Sequence, residues 1–196
     1  MCQNGAMKQA HSAGFVAVFA FCAIWLNAGL AWLNELAALP FFMDSIGTAI
    51  AAAVLPFWPA LAVAVLTNFA MEVVFGFTGA AWPFFICGVA TMLIVRAFVV
   101  TDRFKTVGDG LLVSLLVALA NAILGGAIAA FVFDGLTIVG LDFLVTALVT
   151  AGQSLVTAAF WARVPANMID KAIAVFAALF LAGPLLRLEQ RLRTRE

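Results

Sequence analysis

The sequence predicts an all-α integral membrane protein, a six-helix transmembrane bundle with one additional polar-faced apolar helix between the fifth and last spans. Three observations carry that reading. Of the 196 residues 66% are hydrophobic and only 10% charged, with a mean hydropathy of +1.16, more apolar surface than one water-soluble core can hide. The apolar runs are longer than a soluble helix needs, and about 20 residues match a hydrocarbon layer roughly 30 Å thick. Alternation with a period of two is absent, so helices and not a barrel must satisfy the backbone. Ten basic and ten acidic residues cancel, and nothing points to nucleic acid. Cys2, Cys22 and Cys87 lack metal-ligand spacing and read as packing residues.

The whole chain, 1–196, reads as a single transmembrane domain, with a polar head at 1–12 and a basic tail at 187–196. The head carries Lys8 and the only histidine, His11, which sits as an interfacial residue before the first span, 14–33. That run is too long for a signal peptide and no small-x-small cleavage site follows, so it is a retained helix. Trp25 and Trp32 lie towards its far end, with Asn34 and Glu35 beyond, as at a membrane interface.

The second segment, 44–56, is short. At 1.5 Å per residue it rises only about 19 Å, so it must borrow 39–43 to span or start deep in the membrane. Asp44 and Thr48 share one face of it. Pro56 and Pro59 bracket a tight turn, and a third helix runs to about 75 with Asn68 and Glu72 stacked four residues apart. Such polar groups either bond helix to helix or mark a functional site. A carboxylate in each arm of one hairpin favours the second.

A Gly- and aromatic-rich turn at 75–83 precedes the fourth span, 82–100, where Arg96 is placed to snorkel to headgroups. The loop 101–110 carries Arg103 and Lys105. The fifth span, 111–133, holds Asn121 and the pair Gly125 and Gly126, which permit close helix contact. In the apolar run 141–161, Asp142, Thr146, Thr150, Gln153, Ser154 and Thr157 fall within roughly 120° at 100° per residue, one polar face that lines something wet. A corner at 163–167 leads to the last span, 168–188, opened by Asp170 and Lys171 and closed by Arg187, Arg191, Arg193 and Arg195.

Charge orders the topology. If 141–161 enters and leaves on one side, six spans put both ends in the cytoplasm. Lys8, Arg96, Arg103, Lys105 and the four tail arginines are then inside, against Arg163 and Lys171 outside, as the positive-inside rule demands. Seven crossings would strand the basic tail outside.

The order of several short motifs resembles the substrate-binding S components of energy-coupling factor vitamin transporters, nearest to riboflavin-type and uncharacterised members. The motifs are Asp44-Ser45-Ile46-Gly47-Thr48, the Pro turn, Thr67-Asn68, Thr78-Gly79, the Arg/Lys loop, and Pro165, Asn167, Ile169 and Lys171 at alternate positions. The resemblance implies a six-helix bundle in the cell inner membrane, both termini cytoplasmic. It would bind a vitamin or related small molecule, with no cofactor and no catalysis, and deliver it through a membrane scaffold subunit and two ATPase subunits. No Walker-type sequence occurs in this chain. On the family's pattern Ala13 and Ala17 would pack against the scaffold. Asp44, Thr48, Asn68, Glu72, Trp82, Gln153 and Asn167 are the expected substrate contacts, Trp82 as a stacking surface and the others as hydrogen-bonding groups. Carboxylates at Asp44 and Glu72 would suit a cationic or donor-rich ring. The apolar segment 141–161 departs from the riboflavin-type pattern, which leaves the substrate open. A proton-coupled carrier and a membrane sensor module are the alternatives, though paired half-repeats and an effector domain are not seen.

Overall fold

Helices in apolar sequence start and stop where a residue satisfies or removes the terminal backbone groups. The computed structural model describes residues 12–137 and 139–194. Most of the polar head, including Cys2, Lys8 and His11, and the last tail arginine, Arg195, lie outside the described residues. Helix α1 (Ala13–Leu36) begins at Ser12, whose hydroxyl accepts from Phe15 N–H, and stops where Ala38 turns left-handed at φ 50°. Short α2 (Ile46–Val54) ends ahead of Pro56. Helix α3 (Phe57–Val74) carries Pro59 in its first turn, where a missing N–H costs nothing. A loop with Gly76 and Gly79 at positive φ leads through a 3₁₀ turn (Trp82–Phe84) into α4 (Phe85–Val100). Helix α5 (Val107–Val132) opens on a capping box of Thr106 and Asp109. Helices α6 (Val139–Thr150) and α7 (Leu155–Arg193) complete the chain.

The protein is therefore all-helical among the described residues, and five segments are long and apolar enough to cross a membrane: α1, α3, the 3₁₀ turn with α4, α5 and α7. These lengths and compositions mark a multi-pass membrane protein. At nine residues α2 is too short to cross alone. An additional apolar helix does lie between α5 and α7, but with different bounds from those expected.

The run 141–161 is not one helix and 163–167 is not a corner. The break comes at 151–154, where Gly152 adopts φ 92° and Ser154 caps α7 by accepting from Thr157 N–H. Pro165 lies inside α7, which continues through it for 39 residues, about 58 Å at 1.5 Å per residue. A proline removes one ladder bond, and the packing of α7 on α2 and α5 holds the helix through the gap. Arg96 also differs from expectation. Its Nη1 donates to Ala52 O at 3.1 Å and Leu55 O at 2.6 Å, capping the C-terminus of α2 instead of reaching for headgroups.

Helix α2 lies at the centre of the bundle, with residues 47–54 all buried and α1, α3, α4 and α7 packed around it. Small residues make that approach possible. A Cβ on Gly47 would lie 2.4 Å from Ala23 O of α1, and one on Gly88 2.7 Å from Ala64 O of α3. Between α5 and α7, a Cβ on Gly126 would meet Phe160 Cα at 3.2 Å, the close contact expected of the Gly125 and Gly126 pair. Leu55, Val63, Met92, Val95, Val113 and Val175 fill the core beside α2. The start of α1 meets the end of α7, where Ser12 N–H donates to Glu189 Oε1 at 3.3 Å.

The Gly47 contact is backbone against backbone, so neither side can yield. Gly47→Val is expected to cost about 1–3 kcal/mol or more through overpacking. Gly29→Ala, with nothing within 4 Å of the added carbon, is expected to be neutral or slightly stabilising. Thermal unfolding of both variants in detergent measures the contrast.

Candidate functional site

Polar groups inside an apolar bundle must be met by the protein or by a ligand, and tracing each one separates the two cases. Asn27, in the middle of α1, donates its amide to Thr48 Oγ1 at 3.0 Å and Thr67 Oγ1 at 3.1 Å, and its Oδ1 accepts from Gly47 N–H at 2.7 Å. This knot ties α1, α2 and α3 together and absorbs Thr48. Glu72, near the end of α3, is also consumed. Its Oε2 accepts from Gly79 N–H, and its Oε1 from Ala81 and Trp82 N–H, at 2.5–2.8 Å. The carboxylate thus folds the glycine loop back over α3 and neutralises the free N–H groups at the start of the next helix.

Lys171 of α7 is 1% exposed. Its ammonium donates to Asp44 Oδ1 and Ser45 Oγ, each at 2.8 Å, and pairs with Asp170 at 2.6 Å, off-line for a hydrogen bond to that Oδ2. The ring of Phe42 lies 5.5 Å from it. Asp170 Oδ1 in turn accepts from Met43 N–H at 2.9 Å. The non-helical segment 39–45 is held from the other side by Asn34, which donates to Leu39 O and Phe41 O.

Beside this cluster lies a cavity of about 390 Å³, within the range of roughly 300–1,000 Å³ usual for small-molecule sites. The ends of α1 and α3, the start of α4, the second half of α5 and the middle of α7 supply its walls. Asn34, Asn68, Asn121 and Asn167 line it from four helices, with Asp44, Glu35 and Lys171 as its charged groups and Phe42, Phe75 and Phe84 among its apolar ones. Exposed Thr78 and half-buried Glu35 mark its rim. Phe84 is held by stacking on Phe133, with ring centroids 5.9 Å apart and 12° between planes. Arg163, fully buried in α7, stands behind the wall and donates to Ala159 O and to the Thr137 hydroxyl.

Of the expected substrate contacts, Asp44, Asn68 and Asn167 come together in this cavity. Thr48 and Glu72 are buried next to it with their hydrogen bonds already made. Trp82 is 47% exposed, and Gln153 lies exposed in the turn between α6 and α7; neither is in the wall. The polar face of α6 points outward. The hydroxyls of Thr146 and Thr150 bond carbonyls of their own helix at the surface. Asn34, Glu35, Thr78, Asn121, Thr137 and Lys171 are the polar wall residues that the sequence reading does not assign to the site. Ala13 and Ala17 are exposed on α1 at the opposite end of the bundle. No group of acidic, histidine or cysteine side chains suited to a metal occurs among the described residues.

No family model, curated protein or solved structure matches this chain.

The Lys171 cluster yields a sharp expectation. Removing one partner of a buried ion cluster leaves uncompensated charge and costs about 3–5 kcal/mol. Lys171→Met should therefore be strongly destabilised in detergent unfolding, and adding Asp170→Asn should restore part of the loss, because the two side chains share one interaction.

Proposed function

We propose that this protein is the membrane-embedded binding subunit, or S component, of an energy-coupling factor type uptake system, a receptor for a vitamin or related small molecule. The observation that carries the reading is a cavity at one end of an apolar helical bundle, walled by polar side chains from four helices and by a charged cluster that joins one of them, α7, to segment 39–45. The motif order from Asp44 to Lys171 adds to it, since five of the residues it contains, Asp44, Asn68, Thr78, Asn167 and Lys171, line that cavity.

Six crossings suit the architecture. Segment 39–45 and α2 form the second. Seven residues at up to about 3.3 Å each, followed by nine at about 1.5 Å, reach across a layer roughly 30 Å thick. Six crossings put both termini on one side. Arg96, Arg103, Lys105, Arg187, Arg191 and Arg193 all belong to the end opposite the cavity, the cytoplasmic end under the positive-inside rule. The two basic residues at the cavity end, Arg163 and Lys171, are buried, used inside the bundle and not at a membrane surface. The cavity then faces outward, as a receptor for external substrate requires. Exposed Ala13 and Ala17 lie on the cytoplasmic half of α1, free for a scaffold subunit, with two ATPase subunits supplying the energy.

One observation favours a second reading. Ionisable clusters within a membrane mark proton relays as well as structural ties, and the Asp44, Lys171 and Asp170 cluster would suit a proton-coupled carrier. Uptake separates the two: a coupled receptor takes up substrate only with its ATPases and ATP, and a carrier does so in proteoliposomes under a proton gradient alone.

Affinity purification of the tagged protein from its native membrane is expected to bring down a transmembrane scaffold and ATPase subunits. Its absence from any such complex would refute the proposal. Gly125 lines the cavity, and an added carbon there meets only ordinary contacts at 3.7–3.9 Å. Gly125→Leu is therefore expected to fold and to keep the partner subunits, but to lose substrate uptake as the side chain fills the pocket.

A further inference from the structure

The four cavity asparagines share an orientation that fixes the chemistry of what they receive. Asn34 donates its amide to Leu39 O and Phe41 O, Asn68 to Ala81 O, Asn121 to Val117 O and Thr91 Oγ1, and Asn167 to Arg163 O. Each Nδ2 thus addresses at least one main-chain carbonyl, which can only accept. The amide nitrogens cannot be turned towards the cavity without placing oxygen against oxygen. All four Oδ1 atoms remain, and no described residue donates to any of them; that of Asn34 is buried without a partner. Four unused acceptors are thus carried by residues of one cavity wall, that of Asn34 buried and the other three accessible.

Its charges lean the same way. Lys171 is claimed by Asp44, Asp170, Ser45 and the Phe42 ring, two carboxyl groups to one ammonium. The side chain of Glu35 at the rim has no hydrogen bond or ion pair among the described residues. Arg163, the other cation nearby, stands behind Thr137 and is not in the wall, and the one of its nitrogens without a partner, Nε, is buried. An anion entering would find carboxylates and amide oxygens, with neutral donors only, the hydroxyls of Thr78 and Thr137 and the second amide hydrogens of Asn68 and Asn167, and no free cation in the wall. The aromatic side chains of Phe42, Phe75 and Phe84 offer apolar surface to a flat ring.

We infer that the cavity selects a planar nitrogen heterocycle bearing several N–H donors, neutral or cationic, and rejects carboxylated or phosphorylated analogues. This rests on the receptor reading and names its substrate class. The donors of such a ring replace water on the asparagine oxygens, and a ring cation faces Glu35 and the Asp44 carboxyl group beside Lys171. A ligand built from acceptors would leave those oxygens unpaired in a dry site, the penalty that gives polar pockets their discrimination.

The test is a pair of ligand series measured by thermal shift and by equilibrium binding on the detergent-purified protein. One series consists of amino-substituted pyrimidines, pyridines and purines, and the other of carboxylates of the same rings. The amino series is expected to raise Tm with concentration and the carboxylates to leave it unchanged. Glu35→Gln, at a half-buried side chain with no bond to break, is expected to keep the ligand-free Tm and weaken cationic members about tenfold, the loss of one charge-assisted hydrogen bond. Asn167→Leu should weaken the whole amino series, with its ligand-free Tm checked against wild type. Stabilisation by the carboxylates overturns the donor-rich assignment while leaving the receptor standing. A flat response to both series overturns it too, and the receptor reading then stands or falls on co-purification with its ATPases. Equal affinity of Glu35→Gln and wild type for cationic members refutes the role of Glu35.

Discussion

The ammonium of Lys171 is the constraint on which the rest of the arrangement depends. A charge in the apolar middle of a bundle is tolerated only when opposite charge and hydrogen bonds surround it. Here Asp170 comes from the same helix, and Asp44, Ser45 and Phe42 come from the chain between α1 and α2. Segment 39–45 is thereby pinned against α7 in a non-helical path. Helix α2 starts only after it, at Ile46. The nine-residue helix then lies wholly inside the bundle, and the thin irregular segment leaves beside it a volume that a full-length helix would have filled. The cavity is a consequence of that substitution.

Irregular backbone at membrane depth has to be satisfied by protein groups, because lipid offers none. Two stretches meet this demand by spending polar side chains on main chain. Asn34 and Asp170 serve the segment after α1, and Glu72 serves three N–H groups of the loop after α3. Arg96 does the same for the end of α2. Several polar residues of the apolar runs are therefore structural in a strict sense: their partners are backbone atoms that would otherwise stand unpaired.

The sequence makes the helical membrane class and most helix positions legible, since span-length apolar runs and proline turns are local signals. It does not reveal the division of 141–161, because hydropathy continues across Gly152 and Ser154, although a glycine followed by a capping serine is a stop and start signal. Reading Pro165 as a corner fails for the opposite reason, as neighbouring helices support a ladder that the isolated sequence would break. At the site, Asp44, Asn68 and Asn167 stand out as polar residues in apolar surroundings, and they meet. Glu72 stands out equally. Its role is hidden because its partners are N–H groups of a loop seven to ten residues on, whose path periodicity does not describe. Thr48 is absorbed by Asn27, and Glu35 and Lys171, placed at the ends of apolar runs, have the sequence look of interfacial residues.

The excess of acceptors in the cavity follows from the same accounting of backbone groups. In an α-helix each interior N–H is committed to the carbonyl four residues back, while every carbonyl keeps a second lone pair. A side-chain amide packed among helices therefore finds carbonyls with capacity to accept and few N–H groups free to donate. Asn121 and Asn167 take the nearest solution, each donating to the carbonyl of residue i−4 on its own helix. Asn34 and Asn68 find theirs where the chain leaves helical form. In all four cases the nitrogen goes to the protein and the oxygen is left over. A site that presented donors would instead need hydroxyls or cations left free by the fold. Here the wall has two hydroxyls, Thr78 and Thr137, which accept from Ala80 N–H and Arg163 and keep one O–H each, against four amide oxygens; Lys171 is enclosed by carboxylates, and Arg163 is turned to a carbonyl and a threonine. The helical architecture and the demands of a dry interior together bias the pocket towards N–H-bearing ligands.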